Sequence, residues 1–264
     1  MFFKWKATVL TTSPACSYHA VERAETGGTG MKRSTINKSI EVAKKVFAAA
    51  GLHLPPFAYW TVKDWQTKGP EADEIRLAQL GWDVTDFGSG KFEEYGRTLF
   101  TLRNGYRTNG SYNKTYGEKF ILNPPGQRAP LHFHRNKMED IINRGGGSIM
   151  IRLYASTPDG KCSDEPFIVH IDGVKHELEP GSIVRLQPGE SIYIYPGLIH
   201  QFWGEGGFEI DGVCYTVSGE VSSICDDWHD NCFLEPMQRF PEIEEDEPRL
   251  HYLCHEYPPA RCRE

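Results

Sequence analysis

The chain has 264 residues, 39% hydrophobic and 25% charged, an ordinary globular composition with enough apolar mass for a core. Its 29 Lys and Arg against 36 Asp and Glu leave a net charge of −7, which argues against nucleic acid or an anionic membrane surface as partner and favours a small molecule. Seven cysteines, odd in number and without a CxxC pair, predict reduced thiols in a cytoplasmic protein, and no apolar run approaches the ~18 residues of a membrane span.

Residues 1–30 read as a peripheral extension, because only Ala7 to Leu10 is even mildly apolar and a signal peptide needs a longer run. Met31 then opens the domain. Ile36, Ile40, Ala43, Val46, Phe47 and Ala50 recur at three- and four-residue steps before Gly51, which predicts an amphipathic helix packed on something larger. Pro55-Pro56 predicts an extended path through residues 53–60, and residues 61–81 read as a second short helical region interrupted at Gly69-Pro70. From Trp82 the period changes. Residues 98–102, 116–122, 132–134, 138–142, 148–154, 166–171, 175–178, 182–186, 191–195, 201–203 and 209–221 are β candidates, joined by segments rich in Gly, Pro, Asn and Asp. Such a run of short strands predicts one mainly-β barrel or sandwich over residues 82–264, covered on one side by the helical region 31–81.

His132 and His134 are two apart, so on a strand both project from one face. The odd step from His134 to Glu139 demands a turn, for which Arg135-Asn136 serves; Lys137 and Glu139 then share a face of the returning strand. Pro196-Gly197-Leu198-Ile199-His200 supplies a third imidazole. Three imidazoles and a carboxylate without a thiolate suit a divalent transition metal better than a structural zinc site. The other histidines take the default reading of core or surface residues.

An octahedral metal on four protein ligands keeps two open positions, enough for two substrate oxygens. Lys137 is a candidate acid or charge stabiliser, against the alternative of a solvated hairpin tip. Lys119, alternating with Ile121, faces either inward or outward. Candidate bases are Glu139 itself, Glu220, Asp226-Asp227, Glu244 and Asp246; the acidic run 242–247 is either a solvated face or a lid over the barrel mouth. Trp60, Trp82, Tyr95, Tyr106, Phe202 and Trp203 are available to stack on a ligand, although most are expected in the core.

These residues carry a resemblance. Gly126, five residues, His132, one residue, His134, four residues, Glu139, six residues and Gly146 reproduce the first motif of the cupin superfamily. The second runs from Gly189 through Tyr195-Pro196-Gly197 to His200, departing at Tyr195 and at Gly204 without touching a ligand. The resemblance implies a β-sandwich barrel (jelly roll) with a metal held by His132, His134, Glu139 and His200.

Leu54-Pro-Pro-Phe-Ala-Tyr-Trp60, Leu80-Gly-Trp-Asp-Val-Thr-Asp-Phe-Gly-Ser-Gly90, Gly219-Glu-Val-Ser-Ser223 and Glu244-Glu-Asp-Glu-Pro248 resemble, more narrowly, the longer bacterial cupin-type D-lyxose ketol-isomerases. That likeness runs from about Met31 to the C-terminus. It implies interconversion of D-lyxose with D-xylulose and of D-mannose with D-fructose, a homodimer, and a manganese cofactor, with Co, Fe or Zn as substitutes. It also implies that Lys119, Lys137, Arg239 and an acid of the 242–247 run line the sugar site; Asp227 and Asp246 are further candidate sugar contacts. The rival readings are a cupin dioxygenase, a decarboxylase, or a sugar-binding module without catalysis. Lys119, Lys137 and Arg239 favour polyol chemistry over an oxygenase's apolar pocket.

Overall fold

The computed structural model describes residues 30–260, so the expected extension, apart from Gly30, lies outside the described residues. In chain order its elements are β1 (Met31–Lys32), α1 (Arg33–Ala49), α2 (Val62–Trp65), α3 (Asp73–Leu77), β2 (Gly81–Thr85), β3 (Arg97–Arg103), β4 (Arg107–Thr108), β5 (Ser111–Tyr112), β6 (Tyr116–Asn123), β7 (His132–His134), β8 (Glu139–Gly145), β9 (Ser148–Tyr154), β10 (Phe167–Ile171), β11 (Val174–Leu178), β12 (Ile183–Leu186), β13 (Ser191–Ile194), β14 (Ile199–Glu205), β15 (Phe208–Ile210), β16 (Val213–Ser223), β17 (Asn231–Phe233) and β18 (Ile243–Glu244).

Two antiparallel sheets dominate. One runs β11-β10-β13-β8-β16-β6-β3-β2 with β15 on β16, and the other runs β12-β9-β14-β7-β17. Strand parity sorts the larger sheet's side chains between two cores. On β6, Phe120 and Leu122 join Trp82, Phe100 and Val217 beneath Ile36, Ile40, Ala43, Val46 and Phe47 of α1. Ile121, with Leu99, Ile141 and Ile192, turns the other way and packs against Ile149, Ile151, Leu153, Leu186 and Phe202 of the smaller sheet. The helix thus buries the back of the larger sheet, which explains why β2 is buried along its whole length and why residues 216–220 of β16 are buried on both faces. Phe47 stacks on Trp82 with centroids 6.3 Å apart and meets the edge of Phe120 at 5.9 Å.

Three local features differ from expectation. Pro55 is extended, but Pro56 opens a 3-10 turn over Pro56–Tyr59, since a proline at the first helical position gives up an N–H that has no partner there anyway. Residues 209–221 form a hairpin instead of one strand, because Asp211 and Gly212 both take positive φ (51° and 79°), as a tight two-residue turn requires. Residues 242–247 do not cover the barrel mouth. Helix α1 begins at Lys32 without a side-chain cap, and the acidic run supplies what is missing.

Asp246 accepts from Ser34 N at 2.9 Å and from Ser34 Oγ at 2.6 Å. Glu244, exposed on β18, pairs in parallel with Lys32 of β1. Glu245 and Glu256 together accept four hydrogen bonds from the fully buried Arg33. The expectation that Glu244 or Asp246 serves as base, or that an acid of this run such as Asp246 contacts the sugar, is therefore corrected. Neither lines the cavity that holds the imidazoles: Glu244 lies exposed on the strand beside β1, and the Asp246 carboxylate is taken up by Ser34. Arg33→Met should lower unfolding free energy by about 3 kcal/mol, read from urea midpoints, because it strands carboxylates built around a buried guanidinium.

Candidate active site

The two sheets meet at the imidazoles. His132 and His134 lie on β7 and His200 on β14, with His132 directly opposite His200 in the ladder. The ring nitrogens of these three lie within 4.8 Å of one another. His132 Nδ1 lies 2.8 Å from Pro130 O, and His200 Nδ1 lies 3.0 Å from Leu198 O. An imidazole that donates from Nδ1 to a carbonyl keeps the Nε2 lone pair free, the arrangement a metal ligand needs. Burial holds His132 well below its ordinary pKa and lowers that of His134, so both stay neutral and ready to ligate.

Glu139 reaches this group from the facing sheet. Its Oε1 lies 3.3 Å from His134 Nε2 and 3.2 Å from His200 Nε2. Its Oε2 accepts from Lys137 Nζ at 2.5 Å. The turn at Arg135-Asn136 is built as the spacing predicts, but by a residue that sequence reading missed. The carboxylate of Asp230 accepts from Asn136 N at 2.8 Å and from Lys137 N at 2.9 Å, fixing the backbone from which Lys137 turns inward.

From Lys137 a chain of charges continues across the cavity. Lys137 Nζ donates to Glu220 Oε1 at 2.9 Å; Lys119 Nζ lies 3.6 Å from Glu220 and 3.7 Å from Asp227; Arg239 donates to Asp227 at 3.0 Å and to Asp83. Lys119 and Glu220 are ladder partners on β6 and β16, so parity alone places them together on the interior face. Cys225 Sγ, whose pKa burial pushes up to about 11, donates to Glu220 Oε1 at 3.4 Å.

Burial works against every ionised group here, yet the partners prevail. Lys119 and Lys137 hold Glu220 below the usual carboxylate range, while Glu139 and Glu220 hold the Lys137 ammonium well above its ordinary value. A depressed carboxylate stabilises the fold above its unfolded pKa and loses that contribution as pH falls. A raised ammonium stabilises below its unfolded pKa and loses that contribution as pH rises. With ordinary values of 4.5 and 10.5, the thermal midpoint should plateau between about pH 5.5 and 9.5 and fall on the acid side first.

The cavity thus gathers His132, His134, Glu139, His200, Lys119, Lys137, Glu220, Asp227 and Arg239, together with Arg97, Phe87, Phe202 and Phe233. Among the aromatic candidates only Phe202 lines it, and Trp82 belongs to the core under α1. Asp226 instead caps the following turn at Trp228 and His229. A second group, Asp83, Cys254 and His255, also lies within 4.8 Å, but the Arg239 guanidinium already sits on Asp83 as a resident cation.

Residues 31–257 match the family model described as D-lyxose isomerase. The chain belongs to the D-lyxose isomerase family. It is 45% identical over 228 residues to a D-lyxose/D-mannose isomerase of Escherichia coli O157:H7, covering 86% of this chain and 98% of that one. A D-lyxose/D-mannose isomerase of Serratia proteamaculans is 44% identical over 229 residues, with the same shares covered. Among solved structures, the L-ribose isomerase of Cellulomonas parahominis with L-ribose superposes with a TM-score of 0.53 at 16% identity, covering 82% of this chain and all of that one. That likeness is one of fold: mainly β, antiparallel and cupin-like, with the N-terminal helix packed on the sheets. As a member of the D-lyxose isomerase family, the chain is a sugar aldose–ketose isomerase.

Proposed function

We propose that the chain interconverts D-lyxose with D-xylulose, and D-mannose with D-fructose, by proton transfer through a cis-enediol at a divalent metal held by His132, His134, Glu139 and His200. The observation that carries this reading is the unbroken line of charge from Glu139 through Lys137 and Glu220 to Lys119, Asp227 and Arg239 in one cavity. It supplies acid–base and oxyanion-stabilising groups beside a metal-ready triad. A binding module has no use for them.

The donor set fits manganese, with Co, Fe or Zn as substitutes, because nitrogen and oxygen ligands without thiolate suit these ions. When bound, such a metal acts as a Lewis acid on the O1/O2 edge of the open-chain sugar. Glu220, ionised and bound to no imidazole among the described residues, takes the proton from C2 and returns it to C1, while the hydroxyl proton of O2 passes to O1, so that the aldehyde becomes an alcohol and C2 a ketone. Lys137, held protonated, hydrogen-bonds the oxygen on which negative charge develops. Lys119, Asp227 and Arg239 orient the hydroxyls. Among the described residues the thiols of Cys162, Cys214, Cys225, Cys232 and Cys254 are free, which supports a reducing, cytoplasmic setting. No described helix is long and apolar enough to cross a membrane. The homodimer rests on the family resemblance and is checked by light scattering.

Purified full-length protein incubated with manganese and D-lyxose under nitrogen should form ketose. Conversion without oxygen removes the oxygenase alternative. No conversion of any pentose or hexose would put the binding-module reading ahead.

A further inference from the structure

Arg97 opens β3 and is 5% exposed, yet among the described residues no carboxylate is built onto it. Its Nη1 donates to Asn123 Oδ1 at 3.0 Å. Asn123 is itself fixed, donating to Thr216 O at 3.3 Å and to Ser218 Oγ at 3.0 Å. The guanidinium carbon lies 4.2 Å from the centroid of the Phe202 ring, a cation–π contact. Its Nη2 has no hydrogen-bond partner among the described residues. Burial lowers its pKa to about 9, with Glu220 and Glu139 acting only from a distance.

A buried guanidinium N–H without an acceptor is costly, and here it borders a cavity in which an acceptor can be placed. The position is informative. Phe202, which backs the guanidinium, follows His200 by two residues on β14, so both face the cavity about 7 Å apart along the strand. That span is comparable with the carbon chain of an open pentose lying with its O1/O2 edge at the imidazoles. Lys119, Lys137 and Arg239 are each paired to carboxylates, although Arg239 Nη1 is also left without a partner; among the described residues Arg97 alone of the lysines and arginines lining the cavity has an orphaned N–H and no carboxylate to neutralise it.

We propose that Arg97 is a specificity-determining residue that holds the non-reacting end of the sugar, its Nη2 donating to the terminal hydroxyl while Phe202 backs the guanidinium. This rests on the isomerase reading above and adds the far end of the substrate site to it. The aldehyde-bearing end is recognised at the metal group, and chain length is measured against Arg97.

The test is a cycle of two proteins and two sugars, using manganese-loaded full-length wild type and Arg97→Leu with D-lyxose and 5-deoxy-D-lyxose. In wild type, removal of the terminal hydroxyl should raise KM about tenfold. Arg97→Leu should raise KM for D-lyxose by a similar factor, with kcat within about threefold and metal content unchanged. In the variant, the deoxy sugar should then bind no worse than D-lyxose, since the hydroxyl has lost its partner. The different ring equilibria of the two sugars cancel in the cycle.

Arg97→Lys, which keeps charge and most of the volume, should recover part of the KM and guards against a variant that fails to fold. Independent effects that multiply, or an unchanged KM in both variants, would overturn the proposal. So would a wild type indifferent to the terminal hydroxyl, which needs no variant at all. A wild type that turns over neither sugar would instead overturn the isomerase reading, so the two failures are distinguishable.

Discussion

His132→Ala protein, folded and reconstituted with manganese, should retain no stoichiometric metal after dialysis and should lose isomerisation by more than about 10²-fold. The magnitude follows from the ligand's place in the site. Removing even an outer partner of a metal-bound imidazole costs about 10 to 100-fold in affinity or activity, and His132 is proposed to touch the ion itself. Its loss leaves His134, His200 and Glu139, and the Pro130 carbonyl that orients Nδ1 has nothing left to hold. Glu139→Gln should behave alike, because an amide keeps the volume but loses the charge that sits against both His134 and His200. Elemental analysis beside circular dichroism checks both variants. Inactive protein with normal metal content would sink the ligand assignment.

How much of this was legible depended on whether neighbours in sequence remain neighbours in space. His132 and His134 follow from the period of a strand, and the odd step to Glu139 forces the turn that brings Lys137 round. Lys119 and Glu220 lie on different strands, and only the register of β6 with β16 joins them. The residues missed are those whose reason is a distant partner. Asp230 holds the Arg135-Asn136 turn from 94 positions away in the chain. Arg97, a charged residue at a strand start, reads locally as a solvated flank. β2 was not predicted because Asp83 interrupts an apolar run, and its partner Arg239 is visible only in three dimensions. The acidic run 242–247 misled in the opposite direction: its charge signals a role, but only the uncapped start of α1 says which.

Lys137→Met should keep the metal and lose turnover by about 10² or more, with KM changing far less than kcat. The ammonium is buried between Glu139 and Glu220, one proposed to hold the ion and the other to move the proton. Methionine fills the same volume without charge, so the two carboxylates then repel each other. That repulsion raises the pKa of Glu220, as the opposing effect of Glu139 already does in the intact site. Activity of the variant should therefore fall off at a higher pH on the acid side than in wild type. A merely structural role for Lys137 would lower stability and leave that acid limb where it was. Because the ammonium is held well above its ordinary value, no alkaline loss of wild-type activity below about pH 10 can be assigned to its deprotonation. A metal-loaded variant with wild-type kcat would remove Lys137 from the chemistry and leave the oxyanion to Lys119, which also pairs with Glu220 at 3.6 Å.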